Sequence, residues 1–271
     1  ENVGIVHGWV FRCSNMGRTI IKKGHSTRSY GKGVRSCEKL GRPVNDWAVG
    51  ITIAPRDEKY HSKTIDSVMK AGWESPILFT EPNVELCEPH KELKNIKRNE
   101  RYGAWKNFCS SLEDLVEMYP AADAYFMIQD DVIFCKGVRL FLENNLWPDE
   151  RTGFVSVFTP SHYTAKPTGF YKRNMGGALW MAQTIIMPPD SARNFLQHPV
   201  KTGHNGDRNI DNRLGLWASR EKRYPWYFCP SLAQHIGSVS TLWTSGANQA
   251  AGRKSASDFV GEDYDVGVGY G

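Results

Sequence analysis

Much of what a chain of this length commonly carries is missing here. No apolar run approaches the roughly 18 residues of a membrane-spanning helix, and the first residues, ENVGIVHGWVF, lack a basic segment followed by a long apolar core. A soluble protein is the expectation. The six cysteines, Cys13, Cys37, Cys87, Cys109, Cys135 and Cys229, form no CxxC pair and no short Cys/His ladder, which excludes a zinc-finger type of site. Cys109 and Cys135 lie in apolar surroundings and read as buried thiols. A cytosolic, reducing setting is favoured, with a lumenal or secreted one as the alternative if one or two disulfides form. No GxxxxGK[ST] loop is present, nor an Asp or Ser nucleophile in a supporting motif. Those absences count against P-loop nucleotidyl transfer and against a phosphatase.

Acids are nearly absent from one segment. Between Phe11 and Pro43 there are nine Lys/Arg (Arg12, Arg18, Lys22, Lys23, Arg28, Lys32, Arg35, Lys39, Arg42) and one acid, Glu38. Removing them from the 34 bases and 29 acids of the chain leaves 25 against 28, so this segment alone makes the protein basic. Glycines and serines interleave the charges, as in GHSTRSYGKGVRS, which describes a surface loop or arm. Its plainest role is solvation; its sharper one is contact with a polyanion, nucleic acid included. The segment from Thr244 onward is rich in Gly, Ser and Ala, with little expected core potential.

What lies between is an alternation of strand-like and helix-like stretches, and 271 residues suffice for a large core. WAVGITIA (47–54) reads as a strand running into Pro55 and Arg56. Residues 62–71 then place Ile65, Val68 and Met69 on one helical face, and Gly72 stops the helix. PILFT (76–80) is a second strand, parallel to the first through the β-α-β connection. A helix over 105–116 carries Trp105, Phe108, Leu112, Leu115 and Val116 inward. Strands are also expected within 153–159 and 178–187. Asp190 is expected to cap a helix bearing Ala192, Phe195 and Leu196, and another helix spans 208–218 with Ile210, Leu214, Trp217 and Ala218 inward. This order implies a mostly parallel, mixed α/β sheet flanked by helices, Rossmann-like, with ligands beyond the carboxyl ends of its strands.

The strand-like run AYFMIQDDVIF (124–134) holds two adjacent carboxylates, Asp130 and Asp131. Ionised carboxylates are almost never buried unless paired or metal-bound, so something cationic should meet them. Either the acids only cap a turn, or they end the strand at a hard divalent ion, Mn²⁺ or Mg²⁺, whose shell substrate phosphates complete.

The chain resembles GT-A fold glycosyltransferases, which carry an acidic DxD-type metal motif at a strand end. QDD within YFMIQDDVIF looks most like the EDD form of the branching N-acetylglucosaminyltransferases, with Gln129 for the first acid. PSLAQHIGSVSTL (230–242) is similar to a second segment of those enzymes. The resemblance implies a single GT-A catalytic domain over 47–243, between a basic arm (1–46) and a Gly/Ser-rich tail (244–271). It implies Asp131 and His235 as metal ligands, with Asp130 on the donor through water or ribose. In HNGDRNIDNRLGLW, Asp211 falls on the family's I-D-x-x-L pattern as the catalytic base of an inverting transfer, with Asp207 as second choice. Donor contacts are expected from Thr52, Pro55 and Arg56 in TIAPRDEKY, from Arg98, Asn99 and Asn107 in KRNERYGAWKNF, and from Gly176 and Gly177 in NMGGALW. The implied activity is metal-dependent transfer from a nucleotide sugar, UDP-sugars first, to a hydroxyl of a glycan, a protein or a polyanion such as hydroxylated-base DNA. The rival expectations are a non-catalytic nucleic-acid-binding protein, whose affinity falls steeply with salt and needs no divalent ion, and another metal-dependent nucleotide-utilising transferase.

Overall fold

The computed structural model describes residues 34–35, 43–173, 179–180, 182–202, 209–238 and 255–270. In chain order these form β1 (Val34–Arg35), β2 (Trp47–Ile53), α1 (His61–Lys70), β3 (Ile77–Thr80), β4 (Asn95–Lys97), α2 (Gly103–Met118), β5 (Ala124–Gln129), β6 (Val132–Phe134) and α3 (Val138–Asn145). There follow β7 (Thr152–Ser156), β8 (Gly169–Lys172), β9 (Thr184–Met187), α4 (Pro189–Gln197), α5 (Ile210–Arg220), β10 (Tyr224–Cys229), β11 (Ala233–His235) and a last helical turn, α6 (Val266–Gly269).

Nine strands make one sheet in the order β1-β8-β10-β7-β9-β5-β2-β3-β4. β2 pairs in parallel with β3 and β5, β3 with β4, and β7 with β10. β9 lies antiparallel between β5 and β7, and β8 is antiparallel to β10 and β1. Seven strands therefore run one way and two, β8 and β9, the other, the mostly parallel sheet that the β/α alternation implies. β6 and β11 form a separate two-stranded sheet.

Both faces of the large sheet are covered, and the central strands β2 and β5 are accordingly apolar but for Thr52 and Gln129 toward their carboxyl ends. Val49, Ile51, Ile53, Phe126 and Ile128 face one core with Ile65 and Val68 of α1 and Val138, Phe141 and Leu142 of α3. Their alternate neighbours, Ala48, Tyr125 and Met127, face a second core with Phe108, Leu112 and Leu115 of α2, Phe195 of α4 and Leu214 and Trp217 of α5. At Gly50, in the middle of β2, a Cβ would lie 2.6 Å from the Phe79 ring, so the aromatic packing of the second core requires glycine there.

Four expectations need correcting. Met69 is 36% exposed rather than on the core face of α1, which Ile65 and Val68 fill. The strand expected at 153–159 ends at Ser156 as β7, where the Thr184 hydroxyl accepts from the backbone N–H groups of Val157 and Phe158 (3.1 and 2.9 Å) and takes them out of the ladder, and of the described residues within 178–187 only Thr184–Met187 form a strand, β9. Asp190 does not cap α4: Pro188 is the cap and Pro189 opens the first turn with its preset φ, leaving Asp190 to pair with Arg223 (2.7 Å). The end of the chain also contributes to the core. Ala256 and Val266 are buried at 5% and 0% exposure, and Tyr270 packs its ring against Phe141 and Phe228. A few anchors among many small residues suffice, which composition averages away.

Candidate metal and nucleotide-sugar site

β5 ends at Gln129, and Asp130 and Asp131 form the turn into β6 at the carboxyl end of the parallel strands. The turn is held from below by α1. The buried hydroxyls of Thr64 and Ser67 accept from Val132 N (3.1 Å) and Phe134 N (2.7 Å), satisfying β6 amides on the side away from β11. β11 then pairs antiparallel to β6 with His235 opposite Val132, and Ile236 N donates to Asp131 O (2.8 Å). That register brings together the two segments that carry the resemblance, QDD and QHIG, 104 residues apart at their closest side chains.

Both acids are 3% exposed. Asp130 is fully engaged: Oδ1 takes Arg56 Nη2 at 2.6 Å, and Oδ2 takes Arg56 Nε at 3.3 Å and Ala54 N at 3.0 Å. Asp131 Oδ2 takes Arg56 Nη1 at 2.9 Å and faces His235 Nε2 at 3.2 Å. Asp131 Oδ1 is buried with no hydrogen-bond partner among the described residues. The cation that meets the acid pair in this structure is thus Arg56, which was expected to reach the base or the phosphates instead. Burial pushes the Asp130 carboxyl up to about 6, against the pull of the Arg56 charge. Burial raises Asp131 as well, but its contacts with His235 and Arg56 together outweigh this and hold it below the ordinary carboxylate value.

The residues fit a hard cation with an incomplete protein shell. Asp131 has one oxygen, Oδ1, without a hydrogen-bond partner among the described residues, His235 Nε2 stands 3.2 Å from the other, and Gly237 leaves the space open: a Cβ there would come within 2.6 Å of Asp131 Oδ2 and 2.9 Å of His235 Nε2. Among the described residues no group of three or more His, Cys, Asp or Glu side chains is placed to hold a metal. Two protein ligands with the remainder left to phosphates and water is the usual pattern for Mg²⁺-like ions at nucleotide sites.

Asp211 reaches the same edge of the sheet by a short chain of contacts. It lies in the first turn of α5, capped by Asn209 Oδ1 to Asp211 N (3.0 Å), and its Oδ1 accepts from Ala182 N (2.7 Å). One residue on, Gln183 O accepts from Gln129 N (3.0 Å), next to the acid turn. Thr52 donates to Ile128 O (3.3 Å) on the neighbouring strand, so its hydroxyl fastens β2 to β5 just before the site. Pro55 is partly exposed in the turn between Ala54 and Arg56.

Arg98 and Asn107 come together, but inside the protein. Arg98 is 9% exposed; its Nε donates to Asn107 Oδ1 (3.2 Å), Nη2 to Ser111 Oγ (3.0 Å), and Nη1 pairs with Asp114 (2.8 Å). Asn99 is exposed beside them, outside the helix, which starts at Gly103, two residues before the expected 105. Asp207, Gly176 and Gly177 lie outside the described residues, as does the basic arm apart from the backbone of β1 and residues 43–46, of which Val44 is buried in the core.

Two features escaped the sequence reading. Glu81, 1% exposed directly after β3, accepts from Gly103 N at the start of α2 and lies 3.8 Å from Arg101. Its signal was available, since ILFTE repeats the strand-then-acid pattern of AYFMIQDD. The other is a tie across the site: Ser238 bonds Tyr60 Oη (2.7 Å) and Glu58 (2.9 Å), joining the β2–α1 turn to the QHIG turn. Nothing in local sequence signals a contact across 178 residues.

Among solved structures the chain is similar to a crystal structure of GalNAc-T7 with UDP, GalNAc and Mn²⁺, with a TM-score of 0.52 and 9% sequence identity. The chain has the fold of a GT-A glycosyltransferase. The match covers 72% of this chain and 44% of that one, so the chain spans less than half the length of the protein it matches. No family model and no curated protein matches the sequence. No helix among the described residues is long and apolar enough to cross a membrane.

Proposed function

We propose that the protein is a metal-dependent glycosyltransferase that moves a sugar from a nucleoside-diphosphate donor, UDP-sugars first, to an acceptor hydroxyl. The observation that carries this reading is the pairing of β11 with β6, which sets His235 against Asp131 at a parallel-strand end while one Asp131 oxygen stays unpartnered. The fold is shared with a protein crystallised with UDP, GalNAc and Mn²⁺, which supports the donor class and makes a glycan acceptor the first to test.

Asp131 and His235 are the proposed protein ligands of Mn²⁺ or Mg²⁺. When bound, such an ion stabilises a departing diphosphate by charge neutralisation. Arg56, fixed above the acid pair, is within reach of the same phosphates, and Asp130 holds Arg56 bidentately and so orients it. Asp211 is the proposed base: positioned by Ala182 N on one oxygen, it would take the acceptor hydroxyl proton as that oxygen attacks the anomeric carbon from the face opposite the diphosphate, giving inversion. A thermal-shift and calorimetric screen of UDP, GDP and CDP sugars with and without Mn²⁺ tests the reading. Metal-dependent stabilisation by one nucleotide family, lost in Asp131→Ala, is expected. No response to any of the three would overturn it.

A further inference from the structure

The acid turn already contains a cation, and that fact bears on how a metal gains access to it. This inference rests on the reading of Asp131 and His235 as metal ligands. The Arg56 guanidinium spans both carboxylates, with contacts of 2.6 Å to Asp130 and 2.9 Å to Asp131, and its side chain is only 13% exposed. The Asp131 oxygen it holds is the same one that faces His235 Nε2. An ion bound by Asp131 and His235 would thus lie against the guanidinium in a site where both acids are 3% exposed and like charges are poorly screened.

Charge counting shows what this means. Two carboxylates and one guanidinium leave the cluster at one negative charge when His235 is counted in the deprotonated form that a metal ligand requires. A divalent ion alone would bring it to one positive charge, buried and uncompensated, which is costly. A diphosphate arriving with the ion reverses that imbalance and offers Arg56 a second set of anionic oxygens.

We propose that Arg56 is a built-in counter-cation that competes with the divalent ion for Asp131, so that the protein holds metal weakly until a nucleoside diphosphate arrives to take up the guanidinium. Metal and nucleotide are then positively coupled, and by linkage each raises the affinity of the other by the same factor. Arg56 sits in the turn leading into α1, whose residues Thr64 and Ser67 hold the acid turn itself, so the guanidinium and the acids are carried by one local assembly.

The test is Mn²⁺ binding to the nucleotide-free protein by calorimetry or by the electron-spin-resonance signal of free Mn²⁺, repeated with saturating UDP. The wild type is expected to bind Mn²⁺ weakly alone and at least about tenfold more tightly with UDP. In Arg56→Met, Mn²⁺ affinity without nucleotide should rise by about tenfold or more, and the enhancement by UDP should shrink. Arg56→Lys keeps the charge but cannot fork across two carboxylates, and should fall between. If Arg56→Met does not fold, Arg56→Lys against wild type decides. Unchanged or weaker Mn²⁺ binding in the folded variant, with wild type still binding Mn²⁺ in the presence of UDP, would overturn the competition and leave the metal site standing. No Mn²⁺ binding by any form, with or without UDP, would overturn the metal site and this inference together.

Discussion

Two parallel strands of this sheet, β5 and β3, each end in a buried acid, and the two acids have different surroundings. After β5, Asp131 meets a guanidinium and an imidazole on one oxygen and, among the described residues, no hydrogen-bond partner on the other. After β3, Glu81 receives the first N–H of a 16-residue helix on one oxygen, and its second oxygen, also without a hydrogen-bond partner among the described residues, lies 3.8 Å from the exposed Arg101. A carboxylate at a helix N-terminus is consumed by the backbone it satisfies and by the helix dipole. A carboxylate between an arginine and a histidine, with an open oxygen, is configured for exchange of cations. Position in the fold is therefore not enough to tell a structural acid from a functional one; what separates them is what the engaged oxygen meets, a helix N–H at Glu81 and two side chains, Arg56 and His235, at Asp131.

The strongest way to break that contrast is Asp131→Ala. Metal-dependent stabilisation by nucleotide should vanish and turnover should drop by about 10²-fold or more, the scale for removing one preorganised electrostatic group, while thermal unfolding stays cooperative. Wild-type turnover in this variant would make the acid turn merely structural. Gly237→Ala should act next most strongly, without removing any ligand. Its methyl would lie 2.6 Å from Asp131 Oδ2 and 2.9 Å from His235 Nε2, and forcing them aside should cost about 10- to 100-fold in Mn²⁺ affinity, the range for disturbed metal-site geometry. Titration with Mn²⁺ in the presence of UDP reads this directly. At the other acid the expectation inverts. Glu81→Ala leaves a partly buried helix N–H without its carboxylate and should cost about 1 kcal/mol of stability with the metal response unchanged. A lost metal response there would erase the distinction between the two strand ends.

Much of this architecture was legible in the sequence, and the reason is periodicity. Val49, Ile51 and Phe126 face one core and Ala48, Tyr125 and Met127 the other, so the apolar runs of β2 and β5 announced strands covered on both sides. The acid turn stood out because Asp130 and Asp131 interrupt such a run. The pairing of His235 with Asp131 came only through the likeness of two segments to a known family, since no local rule predicts which distant strand β6 takes as partner. Arg56 was noticed but given a ligand rather than the two acids, because a contact between residue 56 and residues 130 and 131 depends on β2 and β5 being neighbours in the sheet. Glu81 was passed over because a single acid before a proline reads as an ordinary turn. The chain end was misjudged because Val266 and Tyr270 are diluted by glycines.

The smallest predicted effect concerns how the acid turn is supported. Thr64 is fully buried in α1, and its hydroxyl accepts from Val132 N, one residue past Asp131. Thr64→Val keeps the shape and removes the acceptor, leaving a buried amide unpaired at the base of the turn. The expected cost is about 1 kcal/mol in stability, with a several-fold loss of Mn²⁺ affinity in the presence of UDP because the Asp131 carboxylate is less firmly aimed. Thr64→Ser restores the acceptor while losing only a methyl, so it should recover the metal affinity even where packing remains slightly weakened. If Val and Ser prove equal in metal binding, α1 supports the fold near the acid turn without setting its geometry, and the preorganisation of Asp131 rests on the pairing of β6 with β11 alone.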